Sequence, residues 1–378
     1  MLFSRRNFLR VAGGGVAAGV VTRLPLHATT FRSLKPVAAR TLVGPVRLDS
    51  NENAYGPSQK VLDALSSALN AANRYPRHEY VELAQRIGDM HGVKPERVLL
   101  GCGSSEILRV AAVGLLGPGR KFVQAAPTFE TSERFARLAG AEVVSLPLDS
   151  HFAHDLDGML ARIDASTPLV HICNPNNPTG SITPRDALEA FISKLPKNTT
   201  VLIDEAYHHF ATQSAGYLSF LDHPIDDGRV MVARTFSKVY GLAGMRLGYA
   251  IASPRMIAQL RPYITPENIN ALVLHAAFTA MDDEQGVRES VRRNADARQE
   301  FFSQATGRML NPIPSSTNFV MMDVHRPADS VIDHFRKNNV WIGRHFPPLN
   351  TCIRVSFGKP DEMKEFWRVY DLLPQKTA

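Results

Sequence analysis

One lysine stands inside the stretch ARTFSKVYGLAGMRLGYA, residues 233–250. Lys238 follows a hydroxyl-rich turn, with Thr235 and Ser237, and precedes a glycine-rich run; Arg246 lies eight residues further on. An amine with few acidic neighbours, once partly buried, loses affinity for its proton and becomes nucleophilic. A surface lysine would look the same if this stretch stood alone. The glycines predict a backbone that folds closely beneath a ligand.

Three other stretches carry polar residues of matching character. GCGSSE (101–106) combines glycines that permit close approach with Ser104 and Ser105 at a predicted helix start. Free amides and a positive dipole end would make it a phosphate cradle; an ordinary capped helix start explains it equally well. NPNNPTG (174–180) fixes its path with prolines and a glycine and aims Asn174, Asn176 and Asn177, unless it is only an Asx-type turn. DEAY (204–207) sets Asp204 at a strand end, where it could pair with a buried cation or merely cap a loop, and puts Tyr207 three residues on. One ligand satisfies all of them together, pyridoxal phosphate. A lysine would form its Schiff base and an aspartate would keep its ring protonated as an electron sink. Asparagine and tyrosine would hold the ring oxygen, and hydroxyls and arginine the phosphate, with its roughly two negative charges.

These motifs need a scaffold that gathers strand ends. Short apolar runs at 97–101, 121–127, 141–148, 168–175, 201–207, 229–235 and 246–252 alternate with helical periodicity. That alternation predicts an α/β fold, a mostly parallel sheet covered on both faces. Open sheets of this kind bind ligands at the carboxyl ends of their strands. Helices are expected at 57–72, 79–91, 104–116, with serine caps, and 155–163. After about residue 255 the pattern becomes two long polar helices, 267–282 and 284–306, then the short strands NFVMMDV and CIRVSFG. This predicts a smaller α+β domain. Trp341 and Trp367 are expected in the core.

The sequence resembles the fold-type I, pyridoxal-phosphate-dependent aminotransferases of class I/II, and among them the histidinol-phosphate aminotransferase branch. The resemblance spans 47–372 and is carried by LDSNENAYGPS (48–58), NRYP (73–76), NPNNPTG, DEAY, SKVYGLAGMRLGY and CIRVSFG. It implies a large domain built on a seven-stranded, mostly parallel sheet. The implied division is an arm or small-domain segment at 47–71, a cofactor domain at 72–255 and a small domain at 256–378. Lys238 resembles the Schiff-base lysine and proton shuttle, and Asp204 the partner of the pyridine nitrogen. Asn177 and Tyr207 resemble the ligands of the ring oxygen. Ser104, Ser105, Thr235, Ser237 and Arg246 resemble the phosphate cup, and Phe129 the aromatic residue stacked on the cofactor. Tyr75 resembles a tyrosine that reaches the phosphate in a neighbouring subunit, which implies a homodimer. Arg354 resembles the two-pronged clamp on a substrate carboxylate, and Tyr55 and Arg344 fall where the branch contacts the distal end of the substrate. Ala54, Phe129 and Glu130-Thr131-Ser132 depart from the usual pattern, and Glu130 would repel a phosphorylated side chain if it points inward. The implied reaction is ping-pong transamination between an amino donor, such as histidinol phosphate or an aromatic amino acid, and a 2-oxo acid such as 2-oxoglutarate. The alternatives are a decarboxylase, lyase or racemase of the same fold, and a non-catalytic binding protein.

Composition narrows the field. The chain has 378 residues, 44% of them hydrophobic, enough for a large core. Its net charge is +7, and residues 1–40 hold seven basic and no acidic residues, so 41–378 are formally neutral. This argues against nucleic-acid binding, which puts basic residues on the folded domain. The leader opens MLFSRRNFLR and continues VAGGGVAAGVV. Arg5-Arg6 before a short, weakly apolar run resembles a twin-arginine export signal over 1–39, and implies the export machinery as a partner and a periplasmic location. Cys102, Cys173 and Cys352 have no spacing for a disulfide framework or a zinc site. No metal is expected. The lack of a third glycine after GCG and of an acidic residue at the dinucleotide spacing argues against a dehydrogenase.

Overall fold

Residues 44–374 are described by the computed structural model; the basic leader lies outside the described residues. The strands in chain order are β1 (Val46–Leu48), β2 (Val98–Gly101), β3 (Lys121–Ala126), β4 (Glu142–Pro147), β5 (Leu169–Cys173), β6 (Thr200–Asp204), β7 (Val230–Thr235) and β8 (Gly248–Ile251). β2–β8 form one seven-stranded sheet in the order β2-β8-β7-β6-β5-β3-β4. β8 runs antiparallel to both neighbours, and the other pairings are parallel. β2, β5 and β6 are buried along their whole length, as unbroken apolar runs in a covered parallel sheet should be. This is the fold class the motifs implied.

The antiparallel strand matters for the site. Gly101 at the end of β2 and Thr235 at the end of β7 both pair with Gly248, the first residue of β8. The chain therefore enters β8 at the edge where its neighbours leave. Arg246, read as part of that strand, instead precedes it in a left-handed conformation, φ 62°.

A second core lies around a three-stranded antiparallel sheet. Its strands are β9 (Asn311–Pro312), β10 (Phe319–Asp323) and, after β11 (Val340–Ile342), β12 (Cys352–Ser356), in the order β12-β10-β9. Phe301, Phe335 and Phe366 are fully buried there, with Phe335 and Phe366 stacked at 4.9 Å. β1 pairs in parallel with β11, a pairing of three residues a strand that is too short to leave a period in the sequence. Trp341, expected in the core, is the middle residue of β11 and faces outward, because side chains alternate along a strand.

Two helix readings change. The stretch read as a long polar helix from 267 starts only at Ala271, where the Asn270 side chain accepts the Val273 amide. It is also largely apolar. Val273, Leu274, Ala276, Ala277 and Ala280 are buried in the same cluster as Val61 and the strand residues Val201, Ile203 and Val232. The helix Ser104–Leu115 is capped by Gly103 without a side-chain bond, not by the serines expected to cap it. Ser104 and Ser105 lie one step further in, inside the first turn.

Phe366→Ala removes a ring enclosed by Phe301, Phe335 and Trp367. It should cost roughly 3–5 kcal/mol, read as a lowered melting temperature; an unchanged transition would contradict this packing.

Candidate functional site

A cavity of about 250 Å³ opens at the edge where β5, β6 and β7 end and β8 begins, and Lys238, Asp204 and Arg246 all line it. The lysine is placed by a local turn. The Thr235 hydroxyl accepts the Ser237 amide at 3.1 Å and donates to the Ser237 hydroxyl at 3.0 Å, bending the chain as it leaves β7. Lys238 Nζ then donates to the Asn51 carbonyl at 2.9 Å and lies 5.5 Å from the centre of the Tyr207 ring. Burial first, and then the Arg354 charge, bring its pKa down to about 8. The glycine after it serves packing: a side chain at Gly241, φ 69°, would collide with the backbone of Gly56 and Pro57. It fits the chain against the 53–58 segment and does not line the cavity.

Asp204 and Glu205 are adjacent acids with opposite fates. Glu205 is fully engaged, accepting from Arg234 at 3.0 Å, the Ser219 hydroxyl at 2.7 Å and the Phe220 amide at 2.8 Å. Asp204 faces the cavity, accepts one amide, from Ala206 at 3.1 Å, and forms no ion pair among the described residues. Burial raises its pKa to about 7. A buried carboxylate in this state is suited to a ligand that brings its own N–H⁺.

The Tyr207 hydroxyl accepts two N–H groups, from Asn51 at 3.0 Å and Asn177 at 3.4 Å, which leaves its own hydrogen to donate onward. Asn51 is the residue that sequence reasoning missed. It is buried, with φ 54°, and its amide and side-chain oxygen both bond Ser356. The signal lay in the polar LDSNENAYGPS segment, but its role depends on contact with a residue 305 positions away. Asn174 and Asn176 do not reach the cavity. Asn174 ties Thr183 through both backbone groups, and Asn176 bonds Pro127, Thr128 and Thr179, so these two build the loop that presents Asn177.

The far side of the cavity is a cradle for an anion. The first turn of the helix Ser104–Leu115 brings the Ser104 and Ser105 hydroxyls beside unfilled amides at a positive dipole end. Arg246 donates to the Ser237 hydroxyl at 3.3 Å and the Ala243 carbonyl at 2.9 Å. Any side chain at Gly103 would strike its guanidinium. Thr235 and Ser237 complete the wall.

A second, outer cavity of about 540 Å³ shares Ser50, Phe129, Asn177 and Arg354 with the first. Together the two fall within the ~300–1,000 Å³ typical of small-molecule sites. Arg354 stands between them, on β12. It donates to Asn177 Oδ1 at 2.7 Å and the Asp49 carbonyl at 2.8 Å, while its buried Nε has no partner. Burial lowers its pKa to about 10. The Nε lies against Gly343, and no acidic side chain among the described residues pairs with the guanidinium, which leaves its charge for an anion in the cavity. Arg344 lines the outer cavity and is paired with Glu130 at 2.6 Å.

Two expected residues lie elsewhere. Tyr55 lines neither cavity; its ring sits 4.4 Å from the Arg293 guanidinium in a separate groove, held by a cation–π contact. Tyr75 is 74% exposed and also lines neither cavity of its own chain.

The titration of Asp204 has a measurable sign. Its folded pKa of about 7 exceeds the usual 3.8, so between these values the folded chain holds a proton that the unfolded chain releases. Stability of the cofactor-free protein therefore falls as pH rises through that window. Asp204→Asn should raise its melting temperature above pH 7 and give no such gain near pH 4. Equal effects at both pH values would contradict the assignment.

Residues 43–369 match the family described as aminotransferase class I and II. The histidinol-phosphate aminotransferase of Bacillus velezensis is 35% identical over 322 residues, 85% of this chain and 89% of that one. Histidinol-phosphate aminotransferase 2 of Carboxydothermus hydrogenoformans is 36% identical over 323 residues, 85% of this chain and 88% of that one. Among solved structures, histidinol-phosphate aminotransferase from Sinorhizobium meliloti, in complex with pyridoxal-5'-phosphate, is 31% identical with a TM-score of 0.79, covering 87% of this chain and 89% of that one. The chain belongs to the class I and II aminotransferase family.

Proposed function

We propose that this transaminase holds pyridoxal phosphate in the inner cavity and its amino donor and 2-oxo acid, in turn, in the outer one. The observation that carries the reading is the unpaired Asp204 carboxylate opposite an anion cradle, with the Lys238 amine in the same cavity. The residues fit the cofactor group by group. Asp204 would hold the ring nitrogen and Tyr207 and Asn177 the ring oxygen. Ser104, Ser105, Thr235, Ser237 and Arg246 would hold the phosphate, and Phe129 would cover the ring face.

Bound pyridoxal phosphate supplies an aldehyde carbon for amine exchange and a ring that takes up electrons when the Cα proton leaves. Lys238 Nζ would be the attachment amine and, when free, would take the proton from the donor Cα. Asp204 would hold its negative charge beside the ring nitrogen and so keep that nitrogen protonated. Arg354 grips the anionic group on Cα and so fixes which bond faces the lysine. The names of the relatives favour histidinol phosphate as the donor, in which a phosphate-bearing arm on Cα would meet Arg354. Phe129 and Phe346 in the outer cavity suit its ring, or that of an aromatic amino acid.

The exposure of Tyr75, which lies in sequence between the likewise exposed Leu69 and Val81, supports a homodimer in which Tyr75 reaches the partner's phosphate site. The Arg5-Arg6 leader supports export by the twin-arginine route and a periplasmic location.

Lys238→Ala should abolish both turnover and the visible absorbance of the loaded cofactor; a variant with undiminished turnover would sink the reading. In the parent chain the amine is protonated below a pKa of about 8. Cofactor capture by the cofactor-free protein, followed by absorbance, should therefore accelerate as pH rises through that value, and a flat profile would count against it. Replacing Arg5 and Arg6 together by lysine should retain the protein in the cytoplasm on cell fractionation; unaltered export would exclude the twin-arginine route.

A further inference from the structure

We propose that Glu130 determines substrate specificity, by occupying Arg344 and selecting side chains that end in a neutral ring over side chains that end in a carboxylate or phosphate. This rests on the outer cavity being the substrate site.

The geometry around Arg344 carries the proposal. Its Nη2 meets the Glu130 carboxylate at 2.6 Å, and its Nη1 donates to the His345 carbonyl at 2.7 Å. Its guanidinium lies 4.1 Å from the centre of the Phe346 ring, whose other neighbour is Arg354 at 4.6 Å. Arg344 is therefore held on three sides, with a charge partner, a carbonyl and an aromatic ring. Arg354, by contrast, donates only to the Asn177 side-chain oxygen and the Asp49 carbonyl and has no acidic partner among the described residues. An anionic group on Cα finds at Arg354 a cation whose charge is unmatched. An anionic group at the far end of a side chain finds Arg344 already engaged and must approach the Glu130 carboxylate.

The rest of the wall points the same way. Phe129 and Phe346 offer ring faces, and Ile342 an apolar one. A heteroaromatic ring could also donate an N–H to Glu130, which a carboxylate cannot. Arg134 and Arg336 line the same cavity and are exposed, as Glu130 and Arg344 are, so solvent and salt screen all four charges, and only the direct 2.6 Å contact singles out the Glu130–Arg344 pair. Glu130 directly follows the ring-covering Phe129, so its position is tied to the wall of the cofactor cavity.

The test compares two unreactive ligands that share a carboxylate for Arg354 and differ at the far end, glutarate and 3-phenylpropionate. Each is titrated calorimetrically into the pyridoxal-phosphate-loaded protein. Glu130→Gln should shift the ratio of the two dissociation constants about threefold toward glutarate, the scale of an exposed ion pair. The kcat/KM ratio for glutamate against phenylalanine should move in the same direction. In an Arg344→Gln background the shift should vanish, because no cation remains to be released. An unchanged ratio, or a shift that persists without Arg344, overturns the role of Glu130 while leaving the substrate site standing. Failure of both ligands to bind the parent protein overturns the substrate site itself, and the proposal with it.

Discussion

The Asp204 carboxylate sits at the end of a wholly buried strand, held by one backbone amide and unmatched by any described cation. Burying a charge in this way is unfavourable unless something neutralises it. The surrounding structure is organised so that a ligand can. The neighbouring acid, Glu205, is satisfied independently by Arg234 and Ser219, so it does not compete for the ligand. Lys238 is turned toward the Asn51 carbonyl, which keeps its amine in the cavity without forming an ion pair with Asp204. The two reactive charges thus share one space and remain available.

Opposite ends of the cavity are built by different means. The anion cradle is local: a glycine that admits an arginine, two serines in a first helical turn and a strand that enters where its neighbours leave. The end around Tyr207 is assembled from afar. Asn51 from the segment after β1, Asn177 after β5, and Ser356 and Arg354 on β12 meet around Tyr207. The short β1–β11 pairing forms its own two-stranded sheet and packs the first of these segments into the second core through Leu48, Val340 and Ile342. A change of position between the two cores would therefore act on Tyr207 and Arg354 before it touched the Arg246 end.

Much of this was legible in the sequence. The seven apolar runs coincide with the seven strands of the large sheet, most clearly at β5 and β6, which are buried along their whole length, and least at the edge strand β4, which is partly exposed. Polar residues directly after such runs must lie at the sheet edge, which is why Asp204, Lys238 and Asn177 could be singled out together. Strands of three residues, by contrast, carry no period, and the apolar character of the helix Ala271–Asp282 is obscured when the preceding residues 267–270 are counted with it. The roles of Asn174 and Asn176 were equally hidden, since one loop can aim any of its three asparagines.

The sequence by itself determined the fold class and singled out the Lys238 amine and the Asp204 carboxylate, which line one cavity, because these follow from periodicity and from motifs fixed to strand ends. Only the tertiary structure decided that Asn51 meets the Tyr207 hydroxyl, that Tyr55 lies in another groove, and that Glu130 holds Arg344. Those facts depend on contacts between segments far apart in the chain. Side-chain direction across such a distance is set by packing, and no local pattern encodes it.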